Sequence, residues 1–179
     1  MWATIVTVGV VLVSALAACG PGPDREGRPP LVVEIDSRED FDAVRAEAED
    51  VLQQMRAVAQ AEFDDVSSTP GQVNSIKCEL KGANVYELSG RLAVSVASED
   101  SAEQVAARLA EALETKGFDA EISPQNSVVV GMTTESGVRF GVGTGALAPY
   151  AGDAGQSYDF NFGLSSTCMD LPRDVADEL

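Results

Sequence analysis

Tyr158-Asp159-Phe160-Asn161-Phe162-Gly163-Leu164 alternates large apolar side chains with polar or small ones. Successive strand residues point to opposite faces, so this stretch reads as a strand with one face in a core and one in water. The same alternation recurs upstream. In residues 73–81 it sets Ile76, Cys78 and Leu80 against Ser75, Lys77, Glu79 and Lys81, and in residues 85–97 it places Leu92, Val94 and Val96 together. Gly90 in the second run is a place for a bulge. Residues 118–122, 127–132 and 138–142 are separated by Ser123-Pro124-Gln125-Asn126 and Glu135-Ser136-Gly137, two turn signals that make them a meander.

A sheet apolar on one face needs a cover, and two segments have helical period. Ser37 precedes Asp40 by three residues, a capping pattern, and Phe41, Val44, Ala48, Val51, Leu52, Met55, Val58 and Ala59 then fall on one stripe. Asp100 or Ser101 opens the second helix, with Glu103 or Gln104 completing the capping box, and Val105, Leu109, Ala112 and Leu113 line it. Gly117-Phe118 closes it with a residue suited to the left-handed conformation, followed by an apolar contact. The expected fold is therefore α+β: an antiparallel sheet of about five strands, with helices over residues 38–63 and 101–116 on one face. Residues 31–35 read as a short strand or extended lead-in and the Gly/Ala-rich residues 143–156 as a loop. The domain is expected to span 31–170, with 171–179 a fraying acidic tail.

Ahead of this domain, residues 3–18 carry no charged side chain and end in Leu16-Ala17-Ala18-Cys19. An apolar core closing on small residues before a cysteine has the form of a lipoprotein signal peptide, with residues 1–18 removed and Cys19 acylated. No Lys or Arg precedes the run. An uncleaved anchor is the alternative, although the run is short of the roughly 20 residues a spanning helix needs. Two acyl chains suffice for stable anchoring. Residues 19–30, rich in Gly and Pro, read as a tether reaching roughly 30 Å. The expected address is the extracytoplasmic face of the cell membrane.

With Cys19 acylated, Cys78 and Cys168 remain as an even pair in a compartment where disulfides persist, and they are expected to bond to each other. A two-Cys metal site is the rival reading, and the chain has no His to complete it. The formal charge of −17 would repel nucleic acid and anionic headgroups alike. Absence of His removes Ser-His-Asp and Cys-His chemistry, and only Lys77, Lys81 and Lys116 could serve a Ser-Lys arrangement. The glycine loop lacks the Lys-Ser/Thr ending of a phosphate cradle. Asp153 and Asp159 near that loop would make at most a weak cation site. No catalytic, metal or cofactor-binding residue is assigned.

Cys78-x-Leu80-x-Gly82-x-Asn84, the helix leading into Gly117-Phe118, and Ser165-Ser166-Thr167-Cys168 together resemble small actinobacterial cell-envelope lipoproteins, including the mycobacterial LppA-like type. The resemblance implies a lipid-anchored α+β domain with a disulfide and brings no catalytic residues. Function is expected to be non-enzymatic: binding of a protein partner or envelope component through the uncovered sheet face. A carboxylate-dependent envelope glycan hydrolase and a carrier of a small apolar ligand are the alternatives.

Overall fold

The computed structural model describes residues 32–79, 84–152 and 155–179. The signal segment, Cys19 and the tether lie outside them, as do Leu80, Lys81 and Asp153. In chain order the elements are β1 (Val32–Glu34), α1 (Arg38–Glu62), β2 (Val66–Ser68), β3 (Gln72–Lys77), β4 (Val85–Ala97), α2 (Ala102–Thr115), β5 (Asp119–Ile122), β6 (Val128–Thr133), β7 (Arg139–Gly143), β8 (Tyr150–Gly152), β9 (Gly155–Ser166), β10 (Cys168–Asp170) and α3 (Arg173–Ala176).

The ten strands form one sheet in the order β1-β10-β4-β9-β7-β6-β5, with β2 and β3 on the edge of β4 away from β9, and β8 on β9. The fold is α+β as expected, but the sheet is mixed: β1 runs parallel to β10, Val32 beside Cys168. The count exceeds five partly because long strands are broken by single extra residues. From Ser89 to Tyr86 is three steps along β4, whereas their partners Ser165 and Met169 are four steps apart. β10 thus continues β9 past a bulge, where the Leu88 amide donates to Ser166 Oγ at 2.8 Å in place of a backbone partner. The β2–β3 edge carries the same offset, Ser68 and Gln72 facing Val94 and Arg91.

Both main helices form as their punctuation demands. Ser37 Oγ accepts from the Asp40 amide, and all eight residues of the α1 stripe are buried. Ser101 and Gln104 make a reciprocal capping box. At its other end Gly117 sits at φ +88°, and the amides of Phe118 and Gly117 return to the carbonyls of Leu113 and Glu114, a Schellman closure. The helices cover the face bearing Leu88, Leu92, Val94, Val96, Tyr158, Phe160, Phe162 and Leu164. Arg108 of α2 fastens the two together: it pairs with Glu62 at 2.9 Å and Asp100 at 2.8 Å, and its guanidinium lies 4.7 Å from the Phe63 ring centroid.

Four local expectations are corrected. Gly90 makes no bulge; it is a close approach, since a Cβ there would stand 2.9 Å from Leu52 Cδ1 and 3.3 Å from both the Gln72 carbonyl oxygen and Leu164 Cβ. Ile76 is exposed at 46 %, because Val73 and Ser75 face inward and the parity of β3 is opposite to the one expected. Residues 143–156 are not all loop, as β8 lies within them and β9 begins at Gly155. The segment 171–179 does not fray. Leu171 and Val175 are buried, and Tyr86 Oη reaches the Ala176 carbonyl at 3.4 Å, so apolar contacts hold a sequence whose charge suggested solvent.

Cys78 and Cys168 are disulfide-bonded, with their Cα atoms 6.4 Å apart. They flank β4 on opposite edges, Lys77 and Met169 both pairing with Tyr86, so the bridge ties the edge strand to the central strand pair.

Candidate functional site

Among the described residues the helices pack on one face of the sheet only. The residues of the other face are set by parity: where Leu92, Val94, Phe160, Phe162 and Val142 point to the helices, Arg91, Ala93, Ser95, Asp159, Asn161, Gly163, Gly141 and Gly143 point away. Register then assembles positions distant in sequence. Gln72, Arg91, Gly163, Gly143 and Val129 form one cross-strand row, and Asn74, Ser89, Ser165, Gly141 and Gly131 the next.

A groove of about 670 Å³ lies on this face, lined by Thr69, Pro70 and Gln72 on one side, Arg91, Ala93, Asn161 and Gly163 along the floor, and Gly143 and Gly145 on the other side. Both walls are held from within. On the β2–β3 side the Thr69 amide donates to the Ala93 carbonyl at 3.0 Å, Ala93 N–H returns to Thr69 Oγ1 at 3.3 Å, and Arg56 of α1 donates to the Thr69 carbonyl at 2.5 Å. On the other side Thr144 is buried. Its hydroxyl oxygen accepts from the Val128 amide at 3.0 Å while its carbonyl accepts from the Asn161 amide at 3.1 Å. Leu147 is buried as well, so the loop is pinned at two points and Gly145, at φ +70°, turns beside the groove.

The charges around the groove are sparse. Arg91 is exposed and makes no ion pair or side-chain hydrogen bond among the described residues. Among the described residues the groove lining contains no carboxylate. One row further along, Asp159 Oδ1 accepts from Ser95 Oγ at 2.5 Å and from Tyr150 Oη at 3.1 Å. The expected weak cation site is thus half outside the described residues, at Asp153, and half engaged by two hydroxyls.

The titratable groups in perturbed environments lie outside the groove. Burial, and then the nearby Glu135, push the Glu47 carboxyl above its ordinary range, and Glu47 Oε2 is buried without a hydrogen-bond partner. Burial and Asp100 push the Tyr158 phenol up; its hydroxyl donates to the Asp100 carbonyl at 2.6 Å. Hydrogen bonds to Asp100 and Glu62 hold Arg108 more firmly charged. Lys77 lies 5.9 Å from the Tyr86 ring centroid, and Lys116 caps α2. Among the described residues the one cluster with metal-ligand spacing is Cys78, Glu87 and Cys168. Its two sulfurs are bonded to each other, which leaves a single carboxylate and no cage.

The polar parity of residues 158–164 marked Asn161 and Gly163 in the sequence. Arg91, Thr69 and Gln72 were missed. The available signal for Arg91 was its position between Gly90 and Leu92, on the wet parity of β4. Comparisons with protein-family models, with curated proteins and with solved structures found no significant match.

Proposed function

We propose that this protein is a lipid-anchored binding module of the cell envelope, tethered through Cys19 on the outer side of the membrane, and that its uncovered sheet face engages a protein partner there. The observation that carries the reading is the asymmetry of the sheet. One face is filled by helices, while the other presents a groove with firmly held walls, neutral polar groups and a single guanidinium. The disulfide between Cys78 and Cys168 is in keeping with an oxidising exterior, and the resemblance to actinobacterial envelope lipoproteins points the same way.

The tether would enter the domain at Val32, beside Cys168. The groove begins near Arg91, five residues along β4 from Tyr86, or about 17 Å at the usual strand rise. The tether and this offset together set the binding face well off the bilayer, and the acidic surface keeps it there.

Neither alternative gains support. A glycan hydrolase needs two carboxylates across a cleft; among the described residues the groove lining has none, and of the acids lining the smaller cleft beside Arg108, Asp100 is held in an ion pair with that arginine. A carrier of an apolar ligand needs enclosed space between sheet and helices, where Leu88, Leu92, Phe160 and Phe162 are packed at 0–1 % exposure.

A photo-crosslinking side chain at Asn161, compared with one at the exposed Glu111 of α2, tests the reading in intact cells. Discrete adducts from position 161 and none from 111 are expected. Equal labelling from both, or none from 161, would remove the open face as the binding surface.

A further inference from the structure

The geometry points to a ligand chemistry for the groove: a carboxylate carried by an otherwise uncharged peptide, with Arg91 as its anchor. This rests on the open face being the binding surface and goes on to say what it binds.

Arg91 stands out against the other described arginines. Arg38, Arg108 and Arg173 form ion pairs, and Arg45 and Arg56 donate to the carbonyls of Val73 and Thr69. Arg91 and Arg139, both on the open face, have no such partner among the described residues. In a chain with 29 acidic and 12 basic side chains, an arginine that pairs with no described carboxylate is a cation left for something else, and of the two it is Arg91 that lines this groove.

The surroundings of Arg91 select the ligand. Across the ladder its neighbours are Gly163 and then Gly143, so the cross-strand positions beside it carry no side chain. A guanidinium with that clearance can meet a carboxylate through two parallel hydrogen bonds. Gln72, Asn161 and Thr69 add amide and hydroxyl groups that suit peptide N–H and C=O groups. A single cation within a field of −17 favours one negative charge and disfavours several, which argues against phosphates and polyacids. A sugar would want a flat aromatic surface, but the one ring among the described lining residues, Phe162, is 1 % exposed and faces the core. β4, which carries Arg91, is paired on both edges beside the groove, so a peptide held at the arginine has no free edge of β4 to add to. Recognition therefore falls to side chains.

Titration of the isotope-labelled full chain, followed at the Asn161 side-chain amide and the Gly163 backbone amide, tests this with defined probes. These are N-acetyl-trialanine with a free C-terminus, its C-terminal amide, an N-acetylated and amidated pentapeptide with one central Glu, and an oligogalacturonate. Saturable shifts are expected with the free-acid peptide, the glutamyl peptide or both, which separates a chain terminus from a side chain as the source. Binding should be at least tenfold weaker for the trialanine amide, at least tenfold weaker in Arg91→Gln, and unchanged in Arg139→Gln. Retention of the remaining amide spectrum in Arg91→Gln reports that the fold is intact. Equal binding of acid and amide, undiminished binding by Arg91→Gln, no shifts with either carboxylate peptide, or binding of the oligogalacturonate alone would overturn the inference. Crosslinking from position 161 would still stand in those cases, so failure here is distinguishable from failure of the binding face itself.

Discussion

Alanine at three strand glycines should give effects of opposite sign, because the two faces of the sheet impose opposite demands. At Gly90, on the helix face, an added methyl would sit 2.9 Å from Leu52 Cδ1 and 3.3 Å from the Gln72 carbonyl oxygen and Leu164 Cβ. The leucine tip can rotate, but the carbonyl and the β-carbon belong to neighbouring strands and move only with the ladder. Overpacking of this kind costs about 1–3 kcal/mol. At Gly131 and Gly141, on the open face, an added methyl meets nothing within 4 Å, and neither residue has positive φ. Alanine there mainly removes conformational freedom from the unfolded chain, a gain of about 0.4–1 kcal/mol per site. The sites are directly cross-strand, so the two gains need not add, and the double variant should gain at least as much as one site, about 0.4–1 kcal/mol. Urea unfolding followed by far-ultraviolet circular dichroism would read these as midpoint shifts at constant slope. A neutral Gly90→Ala, or a loss above about 1 kcal/mol at Gly141, would show that the faces have been assigned the wrong way round. Strand glycines that internal packing does not require are also what a surface approached closely by another molecule would use.

Replacing Cys78 and Cys168 together by Ser should cost about 4–5 kcal/mol by loop entropy across their 90-residue separation, read as a drop in urea midpoint; no change on reduction of the wild-type chain would contradict the bridge. Leu171→Ala should cost about 2 kcal/mol or more, since that side chain is 4 % exposed, whereas a frayed tail would make it silent. Glu47 supplies a pH test. Its folded pKa is raised above the ordinary 4.5, so the native state binds the extra proton, and stability falls as pH rises from about 4.5 through the folded value. Glu47→Gln should recover up to about 1 kcal/mol at pH 7 and nothing near pH 3.5, and an equal effect at both would exclude a titration origin.

Legibility in the sequence followed the range of the interactions. The α1 stripe, the closure at Gly117-Phe118, the two hairpin turns and the alternation of residues 158–164 are fixed by neighbours within a few residues, and they stand in the structure where the sequence placed them. β1 and β10 are three residues each, too short for a period, and their parallel pairing joins the two ends of the domain. The parity of residues 73–77 misled because Cys78 and Ile76 were grouped with the apolar set, although the cystine is only half-buried and Ile76 is exposed. The groove was legible only as a face. Its arginine, its glutamine and its glycines come from β3, β4, β7 and β9, and only the register of those strands brings them side by side.

Export and lipid anchoring of the chain, the core of the proposed function, are tested most directly by the intact mass of the native protein from its own cells. The predicted species begins at Cys19, carries the mass of a diacylglyceryl group, and lacks two hydrogens at Cys78 and Cys168. A mass that retains residues 1–18, an unmodified Cys19, or free thiols at 78 and 168 would contradict that proposal.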